Sequence, residues 1–244
     1  MSEPGWKVLV PVEVLEGETV PEAVVDLLAT CPVVVLGYHV LPEQTPPGQA
    51  RLQFEERAQA RLDDIATAFR DAGGDAETRL VFTHDEAQTL DRVADETGCA
   101  AILVPNPAPE IGRILVPLRG EADVGRVAAF VAALIGDRDV VTTFLHVAED
   151  EEGTAAGRSV VDDAAARFRE HGGSAGRVTT EVTVSGTPVR EIAAAAADHD
   201  AVVMGEGEPS LRSFLLGDAS ERVAAGSLGP VVVVRRAPDD PAEP

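Results

Sequence analysis

The residues best suited to chemistry lie between positions 201 and 236, in AVVMGEGEPSLRSFLLGDASERVAAGSLGPVVVVRR. Met204 and Gly205 close a short apolar run, Gly207 follows after Glu206, and Gly217-Asp218 stands before a helical pattern. A glycine loop that feeds a helix N-terminus gathers free backbone N–H groups, which suits a phosphate or another anion. Arg212 inside the loop and Arg119 earlier in the chain would supply positive charge. Asp218 works against this. With Glu221 three residues on, it reads as an N-cap and its capping-box partner, so its carboxylate takes the same N–H groups and repels a phosphate. Two readings follow: a capped helix that binds nothing, or a modified anion site using Arg119 and the glycines.

Other chemistry finds less support. His39 and His146 each end an apolar run, but no serine, cysteine or carboxylate is spaced to serve as a general-base partner. His84 and His199 read as surface residues at helix ends. The five histidines are scattered without a second ligand at useful spacing, so no metal site is expected. Cys31 and Cys99 stand alone and read as reduced thiols. No catalytic constellation emerges, and the expectation is a protein that is not an enzyme.

The elements that must position these residues alternate. Residues 6–14 (WKVLVPVEV) read as a buried strand, 18–31 as a helix with Pro21 in its first turn, and 33–41 as a second strand. A proline-rich loop, 42–48, leads to a helix over 51–72 with Ala58, Leu62, Ile65 and Phe69 on one face, ended by Gly73-Gly74. Residues 77–82 form a third strand. Thr83 and Glu86 then read as a capping box for a helix with the stripe Ala87, Leu90, Val93 and Ala94, and 100–104 is a fourth strand.

The pattern then repeats. RILVPL at 113–118 echoes KVLVPV at 7–12, and His146-Val147 echoes His39-Val40. Strand segments are expected over 113–118, 140–147, Val178–Val184 and 201–204, with helices over 123–135, 160–171 and 187–197. Gly172-Gly173 matches Gly73-Gly74, and the acidic loop 149–152 matches the proline loop. Pro105 stands where the second half has Gly205. After it the first half runs straight into Arg113, with no room for a glycine loop, another helix or a fifth strand. A period of about 100 residues fits a duplicated α/β domain and not a solenoid, whose repeats run ~20–50 residues. Alternating strands and helices imply a mostly parallel sheet with right-handed crossovers.

The stretch from 201 to 236 resembles the C-terminal half of the universal stress protein fold. That family carries Gly, two residues, Gly, nine residues, then Gly followed by Ser or Thr, a helix and a Pro-Val-rich strand. Here nine residues separate Gly207 from Gly217, Gly205-Glu206-Gly207 is one residue shorter than the pattern, and Asp218 stands in the hydroxyl position. Gly229-Pro230 followed by VVVVRR matches the ending. The resemblance implies strand order 3-2-1-4-5 and two tandem doubly wound, parallel-sheet domains of the adenine nucleotide alpha hydrolase-like kind. These are 1–108, truncated after its fourth strand, and 109–236, complete, with 237–244 an acidic, disordered tail. Members that bind ATP carry an Asp near the end of strand one, where this chain has Glu13 and Arg119. The ligand positions that carry over are Arg119, Val147, Met204, Gly205, Gly207, Arg212, Gly217 and Asp218. The resemblance implies a non-catalytic stress-response regulator that needs no cofactor and acts by dimerisation and partner binding, a membrane transporter among the partners. The alternative is an adenine-nucleotide sensor or weak ATPase using the Gly205–Asp218 loop. Four consecutive valines, Val231–Val234, form the last strand, whose outer edge must be covered. A homodimer through that edge is expected, with pairing beside residues 100–104 of the same chain as the alternative.

Composition narrows the setting. The chain has 244 residues, 45% hydrophobic and only 4% aromatic, so its core is built from Val, Ala, Leu and Ile. Its formal net charge is -22, and Lys7 is its only lysine. With that hydrophobic content the charge does not signal disorder; it indicates a halophile's cytoplasm, with an acidic mesophile protein as the alternative. The acidic surface offers no basic stripe for nucleic acid. No apolar stretch approaches the ~20 residues of a membrane span, and the polar first five residues give no leader peptide. Molar salt shortens the Debye length to about 3 Å and relieves carboxylate repulsion. Thermal melts should therefore rise steadily from low to molar KCl. A melting temperature that ignores salt would overturn the link between the acidic surface and salt.

Overall fold

The fold is described from a computed structural model of the chain, which describes residues 5–42, 44–119, 124–206 and 229–237. The chain divides into two compact units, Met1–Pro105 and Asn106–Pro244. In the first, the strands are β1 (Val8–Glu13), β2 (Val33–Val40), β3 (Ala76–Thr83) and β4 (Ala101–Val104), joined by helices α1 (Glu22–Leu28), α2 (Pro47–Asp71) and α3 (Glu86–Thr97). The strands lie in the order β3-β2-β1-β4. The β1–β2, β2–β3 and β1–β4 pairs are all parallel.

The second unit repeats this with β5 (Arg113–Pro117), α4 (Val124–Ile135), β6 (Val141–Ala148), α5 (Thr154–Glu170), β7 (Val178–Val184), α6 (Pro188–Ala196) and β8 (Ala201–Gly205), then β9 (Val231–Val234). Its order is β9-β8-β5-β6-β7, and its strand pairs are parallel. Counted from each unit's own first strand, the orders are 3-2-1-4 and 3-2-1-4-5. Strands buried on both faces read as continuous apolar runs. Val8, Leu9 and Val10 in β1 and Ile114, Leu115 and Val116 in β5 are fully buried.

The helices seal the sheets with the expected residues. Ala58, Leu62, Ile65 and Phe69 of α2 are buried. Leu62 seats over Gly37 of β2, where a Cβ would come within 2.7 Å of it. Both long helices end alike. Gly73 and Gly172 take positive φ (+89° and +92°), and the next amides reach back five residues, Gly74 N–H to Phe69 O and Gly173 N–H to Phe168 O, each 2.9 Å. This closure satisfies carbonyls that the last turn leaves free. α4 departs from a one-sided helix: nine of its twelve residues are buried, Ala129, Phe130 and Ala132 among them.

Several boundaries move, each for a local reason. α1 spans Glu22–Leu28, with Pro21 at the N-cap and not inside the first turn. Residues 18–21 are not helical, and the Glu18 side chain folds back to accept from the Glu13 amide at 2.8 Å. α2 begins at Pro47, because a proline is preorganised for the first helical position, and so absorbs part of the expected loop. α5 likewise starts earlier than expected, at Thr154 in place of residue 160. The capping box is two residues off: Asp85, not Thr83, is the N-cap of α3 and accepts from the Gln88 amide at 2.9 Å. Thr83 instead bonds the Asp85 backbone on both sides, at 3.1 Å each. The inward face of α3 shifts accordingly. Ala87 is exposed, while buried Thr89 donates to the Thr83 hydroxyl at 2.8 Å.

These contacts make the cap testable. Asp85→Ala should cost about 1 kcal/mol, measured as a lower urea midpoint with unchanged slope, whereas Asp85→Asn should cost a few tenths. Equal effects of the two substitutions would show that the side-chain cap does not hold α3.

Candidate functional site

In an open parallel sheet the loops at the strands' carboxyl ends gather where the strand order reverses, and ligands lie there. In the second unit β5 connects onward to β6 on one side and is flanked by β8 on the other. Arg119 follows β5, Val147 lies near the end of β6, and Met204 and Gly205 close β8. The structure thus brings Arg119, Val147, Met204 and Gly205 to the carboxyl ends of three adjacent strands. Gly207, Arg212, Gly217 and Asp218, with the helix expected after them, lie outside the described residues, as does the tail at 238–244.

Burial separates the roles of the described four. Met204 and Val147 are buried, and Gly205 stands opposite Val234 in the β8–β9 ladder. The ladder runs one residue further, with the Glu206 amide on Val234 O at 2.8 Å. The Glu206 carboxylate accepts from the Arg236 amide at 3.0 Å, and the Arg126 guanidinium donates to Arg235 O at 2.6 Å. The β8 and β9 ends are therefore tied to each other and to α4. Arg119 lies 3.6 Å from the Glu149 carboxylate, and both are well exposed. Such a pair contributes about 0–1 kcal/mol, so it leaves Arg119 able to exchange Glu149 for another anion.

His146 is the best-defined polar group of this edge. Its Nδ1 bonds Leu118 O at 2.9 Å, and because a carbonyl only accepts, Nδ1 carries the proton. The Leu118 amide in turn donates to Leu145 O at 2.8 Å. Both sides of residue 118 are thus held by β6, which aims the next residue, Arg119. The ring has room only because Gly157 of α5 has no side chain: a Cβ there would overlap the imidazole and lie 3.0 Å from Nε2. Glycine inside a helix costs about 1 kcal/mol relative to alanine. Sequence reasoning missed Gly157, although a lone glycine in a helical stretch was the available signal. It also placed His199 on the surface. His199 is half-buried, with Nδ1 on Ala195 O at 2.8 Å and Nε2 on the Thr143 hydroxyl at 3.1 Å.

The first unit carries a different edge at the same place. Glu13 stands where Arg119 does, and His39 Nδ1 lies 3.6 Å from its carboxylate. Phe54 of α2 and Phe82 of β3 meet the His39 ring edge-on, at centroid distances of 6.4 and 6.5 Å. Burial first, then the charges of Glu16 and Glu18, push the Glu13 carboxyl above its usual range; His39 pulls the other way and Glu86 adds a little more. The unfolded chain therefore releases this proton before the native chain does. The stability tied to it is present at low pH and lost as pH rises through the folded value. Glu86, expected in a capping box, instead accepts from the Tyr38 hydroxyl at 3.0 Å. Burial and the Glu86 charge push that phenol far above its ordinary range. Among the described residues no group of three or more His, Cys, Asp or Glu could hold a metal, and no helix is long and apolar enough to cross a membrane.

Comparison with known proteins matches residues 110–235 to the model of the universal stress protein family. A universal stress protein from Archaeoglobus fulgidus shares the fold at a TM-score of 0.65 and 20% identity, over 96% of this chain and 97% of that one. A putative universal stress protein from Pseudomonas aeruginosa matches at a TM-score of 0.53 and 15% identity, over 95% and 93% of the two chains. The cytoplasmic domain of a prokaryotic cation chloride cotransporter matches at 0.51 and 12%, over 94% and 95%. Among curated proteins no match is found.

Gly157→Ala tests the edge directly. The added methyl should drive the His146 ring out and break its bond to Leu118, costing about 1–3 kcal/mol despite the gain in helix propensity. A lower urea midpoint and a shifted imidazole resonance are the expected results. A more stable variant with an unmoved resonance would show that the ring does not rest on Gly157.

Proposed function

As the chain belongs to the universal stress protein family, we propose that it is a stress-response regulator that acts by binding and assembly, without a catalytic step. The observation that supports this most is the commitment of the edge side chains to the protein itself. The His146 Nδ1 proton serves Leu118, the Glu206 carboxylate serves the Arg236 backbone, and Arg126 serves Arg235. A general base needs a free nitrogen within reach of a nucleophile's proton, and among the described residues the hydrogen bonds of His146 include no hydroxyl or thiol. We place the protein in the cytoplasm of a halophile, on the strength of its charge.

The second reading is an adenine-nucleotide sensor or weak ATPase. It is favoured by one feature, the buried apolar ends of β6 and β8 at Val147 and Met204 beside an exchangeable Arg119. Against it stands Asp218, a carboxylate in the position where the family's nucleotide binders carry a hydroxyl. Calorimetry in molar KCl separates the two readings. The expected result is no heat of binding for ATP at micromolar concentration. A micromolar dissociation constant, about -8 kcal/mol, would establish the sensor in its place.

For assembly we propose a homodimer through Val231–Val234, with a transporter as the class of larger partner. β8 pairs with one side of β9, and a second copy of the chain is the proposed partner, since a two-fold contact is self-complementary. Light scattering in molar KCl should give twice the chain mass. A monomer of 25.5 kDa at all concentrations would rule the dimer out.

A further inference from the structure

The turn that leaves β1 concentrates charge of one sign. Glu13, Glu16 and Glu18 fall within six residues, and three hydrogen bonds hold them in a fold-back. The Glu13 amide donates to the Glu18 carboxylate at 2.8 Å. The Glu16 amide donates to Glu13 O at 3.2 Å, and the Val14 amide to Tyr38 O at 3.3 Å. Gly17, at φ +80°, completes the reversal. Glu86 adds a fourth carboxylate from α3, held by the Tyr38 hydroxyl.

One group answers this charge. Among the described groups that act on the Glu13 carboxyl, His39 alone favours its ionised form. Its Nδ1 is shielded from solvent, makes no hydrogen bond, and faces the Glu13 carboxylate at 3.6 Å. The groups around the ring are few. Glu13 faces it from β1, Glu16 and Glu18 approach Glu13 from the turn, and Glu86 does so from α3. From α2 and β3 the ring meets Phe54 and Phe82, which do not titrate. Apolar walls lower the local dielectric on the ring's flanks, so a proton on His39 acts on Glu13 with less screening than between fully exposed charges.

We propose that the His39–Glu13 contact is a pH-operated latch on this turn: protonated His39 holds residues 13–18 closed, and its deprotonation loosens them. With the proton on, Nδ1–H can donate to Glu13 and offset its like-charged neighbours. With the proton off, the ring can still share one N–H with Glu13 but carries no charge, so the carboxylates repel one another without a counter-charge. The second unit supplies its own control. His146 has a carbonyl as its Nδ1 acceptor, and a carbonyl accepts that proton whether or not Nε2 is also charged. The latch therefore belongs to the first unit only.

Amide hydrogen exchange of the full chain in molar KCl, corrected for intrinsic rates, tests this between pH 6 and 8. Protection at the Glu13, Val14 and Glu16 amides should fall about two- to fivefold as pH rises, the range an ion pair near the surface supports. Protection at the Leu118 amide should stay level. The fall should coincide with titration of the His39 imidazole followed by NMR. His39→Gln and, at a position where folding is less at risk, Glu13→Gln should each abolish it. A fall that persists in either variant overturns the latch, as does level protection in the wild-type chain while His39 titrates, or a His39 that does not titrate in this range.

Discussion

Both units rest on one constraint: a parallel strand cannot satisfy its backbone groups from a neighbour in a hairpin, so each must wait for a crossover to return. The first strand of each unit bears this most heavily. β1 pairs with β2 on one side and β4 on the other, and β5 with β6 and β8. Each is flanked on both sides and buried on both faces, which is why these segments are nearly unbroken Val, Leu and Ile. Because the pairing is parallel, all carboxyl ends emerge together. The chain has no freedom to place Arg119, Val147 and Gly205 elsewhere once the order β8-β5-β6 is set.

Within that frame the two edges have been given opposite character. At the position after the first strand, one unit carries Glu13 and the other Arg119. Their histidines follow suit, His39 turned toward a carboxylate and His146 toward a carbonyl. The helix facing each histidine completes the difference, with Phe54 boxing one ring and the bare backbone of Gly157 admitting the other. The same topology thus presents one edge crowded with carboxylates and one with an exchangeable arginine. The regulator reading asks only that these edges be recognised, not that they react.

Much of this was legible from residue order. The strand segments read from the sequence fall on all nine strands among the described residues, and the Gly-Gly pairs located the ends of α2 and α5, because a left-handed closing residue is a demand that few side chains meet. The face of α2 was legible because its apolar residues recur with helical period. Starts were harder to read. Prolines at 21 and 47 and the competing hydroxyls and carboxylates at 83, 85 and 86 each permit more than one cap. Which one wins depends on contacts from distant strands, such as Tyr38 claiming Glu86. At the candidate site, position on the sheet edge could be read, but partnership could not. Nothing near His146 in sequence announces Leu118 or Gly157 as its neighbours, since both lie on other elements.

The burial of α4 bears on how the protein is made. Nine of its twelve residues are buried, and the helix packs against α5, β8 and β9. Synthesis proceeds from the N-terminus, so α4 leaves the ribosome well before the strands that cover it, and β9 is the last described strand to be made. Until then an apolar helix with little charge of its own stands uncovered in a chain that is otherwise strongly acidic. The second unit thus cannot mature piecemeal. A stop codon shortly before Val231 would leave a nearly full-length product in which β8 lacks its β9 partner and α4 lacks part of its cover.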